Sequence, residues 1–237
     1  MNDYLRIILP LIPVGLAIAG GIALYCTYPL MAMKPIATGP VPSTPVLALR
    51  SRRGALYLID TGAGWLLIDA GTNAEEVSAD LAGLGVDPAQ VNWILLTHSD
   101  YDHVASLPLF PNAVIHMGEA ELALVASGKK KLPEGIDPNA IRLVRDGEKL
   151  MFDNTQVECV AAPGHTDGST AYLVDNTYLF TGDALRWHTL RSGEGKMSVH
   201  PYKKGNKAET LASLEKLKGL AGKYMVFTSH YGVIPKN

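Results

Sequence analysis

Between residues 97 and 103 the chain reads Thr97-His98-Ser99-Asp100-Tyr101-Asp102-His103, which places four potential metal ligands within six residues. Imidazole nitrogen and carboxylate oxygen both bind divalent transition metals. The stretch follows an apolar run at 91–96, the pattern of a buried strand. A loop leaving a strand end can aim alternate side chains at one point. His98, Asp100 and Asp102 share one parity, and His103 turns the corner. The competing reading is a polar loop in which Asp102 or Ser99 caps a following helical turn. Three later segments weigh against it: Pro163-Gly164-His165-Thr166-Asp167-Gly168-Ser169, Thr181-Gly182-Asp183 and Ser229-His230-Tyr231-Gly232. Each sets a ligand-type residue just beyond an expected strand. A single histidine there would be an ordinary loop residue. Three candidates in order after the first cluster are hard to explain that way.

The elements that must position these residues are legible as patterns. Apolar runs at 55–59 and 65–68 around Thr61-Gly62-Ala63-Gly64 predict a β-hairpin. Ala74, Val77, Leu81 and Leu84 predict a helix over 73–84, with Gly85 as its stop. A strand at 113–116 and a helix at 119–126 follow. In the second half, strands are expected at 157–161, 169–174, 177–181 and 225–228. Asp175-Asn176 marks a tight turn between the second and third of these. Leu211, Leu214, Leu217 and Leu220 form one stripe of a helix over 208–220. Strands followed by a helix, twice over, predict an α/β (α+β) chain folded as an αββα four-layer sandwich.

The chain has 237 residues, enough for one domain of about 200 residues and an additional segment. The formal net charge is −2, from 21 basic and 23 acidic residues, and no long basic stripe exists, so nucleic acid is not an expected partner. The run Lys129-Lys130-Lys131 reads as a solvated loop. Two cysteines, Cys26 and Cys159, make no disulfide framework and no zinc-type spacing. Cys159 alternates with Val157 and Ala161 and is expected in the core.

Residues 7–33 form a run of 27 without a charged side chain. As a helix they would measure about 40 Å, enough to cross a hydrocarbon core about 30 Å thick. The expectation is one N-terminal transmembrane helix within residues 1–34, a proline-rich tether over 35–46, and a domain over 47–237. The chain would then be membrane-anchored, with the bilayer as a partner. The alternative is a cleaved signal with Arg6 before the apolar run and Ala17-Ile18-Ala19 as the cleavage site, which would make the domain secreted or periplasmic. Arg6 and Lys34 flank the run, and neither side wins the positive-inside count.

From about residue 46 to the end, the sequence resembles the metallo-β-lactamase superfamily. Leu67-Ile68-Asp69-Ala70-Gly71 looks like its first motif, and His98 to His103 occupy its signature loop. His165, Asp183 and His230 match the three later motifs. The resemblance implies the αββα sandwich and a two-metal site. His98, Asp100 and His165 would hold one ion. Asp102, His103 and His230 would hold the other, and Asp183 would bridge them. Asp69 would orient the ligand loop. It also implies a metal-dependent hydrolase in which a metal-bound hydroxide attacks an ester-like bond of a small-molecule substrate. Asp183 and Asp102 would be its catalytic carboxylates, with Asp102 taking or relaying the proton.

One position departs from the pattern. The usual signature has histidine where this chain has Asp100. An anionic oxygen makes the site harder, which favours iron or manganese relative to zinc, although two divalent ions with zinc foremost stay the expectation. A carboxylate there is similar to the diiron branch, but that branch carries a flavin domain for which these residues leave no room. Hydrolysis is therefore preferred to redox chemistry or to a non-catalytic binding module. β-Lactamases of this fold generally lack the bridging aspartate, and seven residues follow His230 where glyoxalase II-like thioesterases carry a helical substrate domain. Esters, lactones, thioesters and phosphodiesters stay open as substrates. His116 is expected to be structural and His200 to lie outside the site. Arg186, Trp187 and His188 either line the pocket or form a surface loop, and Tyr231 either touches substrate or packs.

Overall fold

The computed structural model describes residues 36–52, 54–189, 195–198 and 207–234. The chain divides into Met1–Met33 and Lys34–Asn237. The expected membrane span therefore lies outside the described residues. Among those that are described, no helix is long and apolar enough to cross a membrane.

Among the described residues, seven strands form the first sheet in sequential order: β1 (Gly39–Pro40), β2 (Val46–Ser51), β3 (Gly54–Asp60), β4 (Trp65–Ile68), β5 (Val91–Leu96), β6 (Val114–Gly118) and β7 (Arg142–Val144). β1 to β4 pair antiparallel, and β4 to β7 pair parallel. The second sheet uses β8 (Lys149–Phe152), β9 (Thr155–Ala161), β10 (Thr170–Val174), β11 (Tyr178–Phe180), β14 (Met225–Thr228) and β15 (Gly232–Ile234), in the order β15-β14-β11-β10-β9-β8. β12 (Arg186–Thr189) and β13 (Gly195–Ser198) form a separate hairpin. The helices are α1 (Ala74–Gly83), α2 (Tyr101–Val104), α3 (Glu119–Ala126) and α4 (Lys207–Ala221).

The layering follows from side-chain parity. In β3, Ala55, Tyr57 and Ile59 point into a core shared with Val157, Cys159, Tyr172, Phe180 and Phe227 of the second sheet. Leu56 and Leu58 point the other way, into a cluster with Val77 and Leu81 of α1. On the outer face of the second sheet, Leu173, Leu179 and Val226 pack on Leu214 and Leu217 of α4. A strand buried on both faces needs cover on both, and one helical layer on each side supplies it. This is the αββα sandwich expected from the sequence. Cys159 is a buried free thiol, and its burial pushes the pKa up to about 12.

One expectation is corrected in part. Within the stretch 35–46, read as an extended tether from its prolines, Gly39, Pro40 and Val46 are strand residues. Gly39 and Pro40 pair with Ala48 and Leu47, Val41 is 3% exposed, and Ile36 packs on the inter-sheet core. Proline is tolerated in so short an edge strand because no neighbour beyond it needs its missing N–H. Strands β2, β7, β8, β12, β13 and β15 were also not foreseen. Several are three or four residues long, too short for alternation to register.

Candidate metal centre

Strand direction gathers the ligand loops. β11 and β14 run parallel with Phe180 beside Phe227, so the segments carrying Asp183 and His230 leave the sheet at the same edge. β10 is antiparallel to both β9 and β11, which brings the loop with His165, entering at Thr170, to that edge as well. In the first sheet, Ile68 of β4 lies beside Leu95 of β5, and Asp69 and the loop beginning at Thr97 follow. Two tyrosines tie the sheets together at this end. Tyr57 Oη donates to the carbonyl of Thr228 at 2.8 Å, and Tyr172 Oη donates to the carbonyl of Leu96 at 2.8 Å. Each bond lands two residues before a candidate ligand, His230 and His98. Both phenols are buried, and burial raises their pKa well above the usual value.

Two groups of side chains converge there: His98, His165 and Asp183, and Asp102, His103 and His230, each with ligand atoms within 4.8 Å of one another. Asp183 lies between the groups. Its Oδ1 is 3.2 Å from His230 Nε2 and 3.6 Å from His103 Nε2, and its Oδ2 is 3.5 Å from His165 Nε2. Asp102 Oδ2 faces His230 Nε2 at 3.4 Å and His103 Nε2 at 3.8 Å. Asp100 Oδ2 lies 3.0 Å from His165 Nε2 and 3.7 Å from His98 Nε2. All seven residues expected from the sequence are thus brought together. Asp100 also holds the N-cap position of α2, but its side chain makes no cap bond there.

The close approach of the loops depends on small residues. Gly182 sits at φ +52°, and a Cβ there would fall 2.4 Å from Thr97 Oγ1. Glycine at this position lets the turn carrying Asp183 rest on the His98 loop.

Asp69 orients both groups. At φ +60°, its carboxylate turns back to accept the Thr97 amide at 2.8 Å and the Thr97 hydroxyl at 2.8 Å, while Oδ2 lies 2.9 Å from His103 Nδ1. The Thr97 hydroxyl, donating to Asp69, is left to accept from His98 Nδ1 at 3.1 Å. Both rings are thereby held with Nδ1–H outward and Nε2 inward, where the neutral ring presents its lone pair. Nε2 of His98 and of His103 are buried without a hydrogen-bond partner among the described residues. Buried imidazole nitrogens facing ionised carboxylates are a donor set for a cation, so the residues present fit the divalent metals that such sites hold.

Electrostatics agree with an anionic pocket lined by imidazoles. Burial, with His103 beside it, pushes His98 down to about 3. Burial and the charges of His103 and Lys130 also lower His165. His103 behaves oppositely. Burial opposes its charge, but Asp69, Asp102 and Asp183 raise it to about 9. Burial opposes the ionisation of Asp183 and of Asp102 too, yet His230 and His103 hold both carboxyls below the usual range.

Two residues at the site were missed in the sequence. Lys130, read as part of a solvated run, forms an ion pair with Asp100 Oδ1, and its side chain is only 13% exposed. Glu121, fully buried in α3, accepts from the Ser99 amide at 2.8 Å, from Ser99 Oγ at 2.5 Å and from Thr166 Oγ1 at 2.6 Å. It fastens the His98 loop to the His165 loop. An acid between Ala120 and Leu122 of an apolar helix was a weak signal for it, and Lys130 had none.

The remaining readings divide. His116 is buried with its ring 5.3 Å from Phe152, away from both ligand groups, in keeping with a structural role. Tyr231 is 5% exposed and lies under the Arg186 guanidinium at 5.6 Å, so it packs. Arg186 and Trp187 belong to β12 rather than to an irregular loop. His200 and the side chain of His188 lie outside the described residues.

Residues 51–230 match the metallo-beta-lactamase superfamily, and the chain belongs to it. A hydroxyacylglutathione hydrolase of Aeromonas hydrophila is 30% identical over 179 residues, covering 74% of this chain and 60% of that protein. A beta-lactamase-like protein 2 homolog of Caenorhabditis elegans is 27% identical over 186 residues, 76% of this chain and 56% of its own length. A probable metallo-hydrolase of Methanocaldococcus jannaschii is 27% identical, with 72% of this chain and 73% of that protein aligned. The chain therefore spans little more than half the length of some curated relatives it matches. Among solved structures, the fold is similar to a beta-lactamase from Chitinophaga pinensis, with TM-score 0.63, 19% identity, and 82% of this chain and 79% of that one covered. It is also similar to Rm3 metallo-beta-lactamase, with TM-score 0.60, 21% identity, and 78% and 75% covered. At these identities the structural likeness bears on fold alone.

Proposed function

We propose that this chain is a dinuclear metal-dependent hydrolase that cleaves an ester-like bond in a small substrate, with a thioester as the first choice. The observation that carries this reading is Asp183, whose two oxygens face two separate histidine groups. A buried carboxylate in that position offsets the repulsion between two cations held a few ångströms apart. His98, Asp100 and His165 would hold one ion and Asp102, His103 and His230 the other, with zinc foremost and iron or manganese as alternatives. When bound, such a pair supplies an activated water near neutral pH and polarises the bond under attack.

The chain's own groups do the rest. Asp69 and Thr97 keep the imidazoles in the tautomer that presents Nε2. The Asp102 side chain is 41% exposed and faces both the site and solvent, so it is placed to relay a proton from water entering the site. Thioesters lead because relatives at 28–30% identity are named hydroxyacylglutathione hydrolases. Lactones, oxygen esters and phosphodiesters are the other members of the class. The uncharged run at 7–33 supports a membrane anchor for the domain.

The test combines elemental analysis of the purified protein with a panel of thioester, ester, lactone, phosphodiester and β-lactam substrates. Two metals per chain and chelator-sensitive turnover of one ester class are expected. A fully metallated protein that turns over nothing on the panel, yet binds one compound tightly, would favour a binding module.

A further inference from the structure

The geometry points to Lys130 as a metal-specificity residue: its ion pair with Asp100 makes the aspartate stand in for the neutral histidine of the usual signature. This inference rests on the two-metal reading of the site.

The two carboxylate oxygens of Asp100 have different surroundings. Oδ2 faces inward, 3.0 Å from His165 Nε2 and 3.7 Å from His98 Nε2. Oδ1 faces outward and is held by the Lys130 ammonium. An aspartate in place of a histidine adds one negative charge to a site that already holds Asp183 and Asp102. An ammonium in contact with its outer oxygen removes that excess locally, so the pair as a unit is neutral, as an imidazole is. The lysine also occupies one oxygen and leaves the other as a single inward donor, which again resembles one nitrogen lone pair.

Position makes the contact specific. Lys130 follows α3, where its amide bonds the carbonyl of Leu124 at 3.2 Å. The ion pair lies in the wall of a pocket of about 480 Å³ lined also by Tyr101, Lys129, Lys131 and Thr166. Lys129 and Lys131 are exposed, whereas the Lys130 side chain is 13% and Asp100 23% exposed. Partial burial strengthens such a pair relative to a solvated one.

The physical consequence concerns which cation the site prefers. A carboxylate with both oxygens open is a harder, more anionic ligand and favours manganese or iron(II) over zinc. With Lys130 on the outer oxygen, Asp100 is restrained toward the zinc-like behaviour of histidine. The lysine acts through Asp100 and is a positioning residue.

The test is a double-mutant cycle read as metal preference, with no substrate involved. Zinc and manganese affinities are measured by chelator competition on the full chain and on Lys130→Met, Asp100→His and the double variant. Lys130→Arg tests rescue, and Lys129→Met controls for net charge. Loss of a group that orients a ligand typically changes metal affinity by about 10–100-fold. A shift of about tenfold toward manganese is expected for Lys130→Met, with Lys130→Arg close to the parent and Lys129→Met unchanged. In the Asp100→His background, removal of Lys130 should leave the zinc-to-manganese ratio where it was. Equal shifts in both backgrounds, or no shift in either, overturn the inference. A parent chain that binds two metals with no coupling between the positions sinks this inference alone. One that binds none sinks the metal-site reading as well. Circular dichroism of each variant separates misfolding from altered preference, and if Lys130→Met is unfolded, Lys130→Gln takes its place in the cycle with the same two outcomes.

Discussion

Asp69 Oδ2 lies 2.9 Å from Nδ1 of His103, and the same carboxylate holds the hydroxyl of Thr97 that receives Nδ1 of His98. One buried acid therefore sets the orientation of a ligand in each of the two groups. Asp69→Ala should weaken metal binding at both, by about 10–100-fold each as is typical for loss of an outer hydrogen-bond partner. Isothermal titration with zinc checks this. Loss at a single site would show that Thr97 holds His98 without help from Asp69.

Asp183 faces both groups, so Asp183→Ala removes a ligand from each. Activity on whichever substrate the panel finds should fall by more than the ~100-fold expected for an outer-shell change. Metal content should fall below two per chain. His116→Ala, which lies away from both groups, should leave metal content unchanged. Elemental analysis of both variants decides it.

The metal-free protein should be most stable near neutral pH. His103 holds its proton more tightly when folded, with a pKa of about 9. Its contribution is full below the unfolded value of about 6.5 and fades as pH rises through about 9. His98 is held to about 3, so it disfavours the fold as pH falls from about 6.5 toward that value. Thermal melts of the chelated protein between pH 4 and 10 should fall off on both sides. His103→Asn should flatten the alkaline limb, and an unchanged limb would point to another group.

Tyr172 Oη is the partner of the Leu96 carbonyl between the sheets. Tyr172→Phe leaves that buried acceptor without it, at a cost of about 1–3 kcal/mol. For a domain of this size that is a fall of roughly 2–4 °C in Tm per kcal/mol. Calorimetry measures it directly. A variant as stable as the parent would mean that water replaces the phenol.

The chain divides between Met33 and Lys34. Removal of residues 1–33 should release a folded domain from membranes, because the boundary falls between Met33 and Lys34. Removal of residues 1–45 should destabilise it, because the pairing of Gly39 and Pro40 and the buried Val41 go with them. Fractionation and thermal melts of the two truncations test both halves. Full-length protein found wholly outside membranes would count against the anchor.

All seven residues that converge in the candidate metal centre were legible in the sequence, and so was the layering. The reason is local: ligand types stood directly after apolar runs, and a residue just past a strand end is placed by that strand. The layering was read from strands followed by a helix, twice over, whereas the wholly apolar run 55–59 gave no clue to its two faces, which the structure divides between the two core clusters. Other features depended on tertiary structure. Lys130 reaches Asp100 only because the turn after α3 folds back over the signature loop, and a lysine run looks the same whether solvated or paired. Glu121 and Ser99 are 22 residues apart and meet because β6 runs parallel to β5, which carries α3 to the ligand edge. The proline-rich stretch 35–46 was read as a tether because its composition favours extended chain. Extended chain is also what an edge strand requires, and the free edge of β2 decided between them.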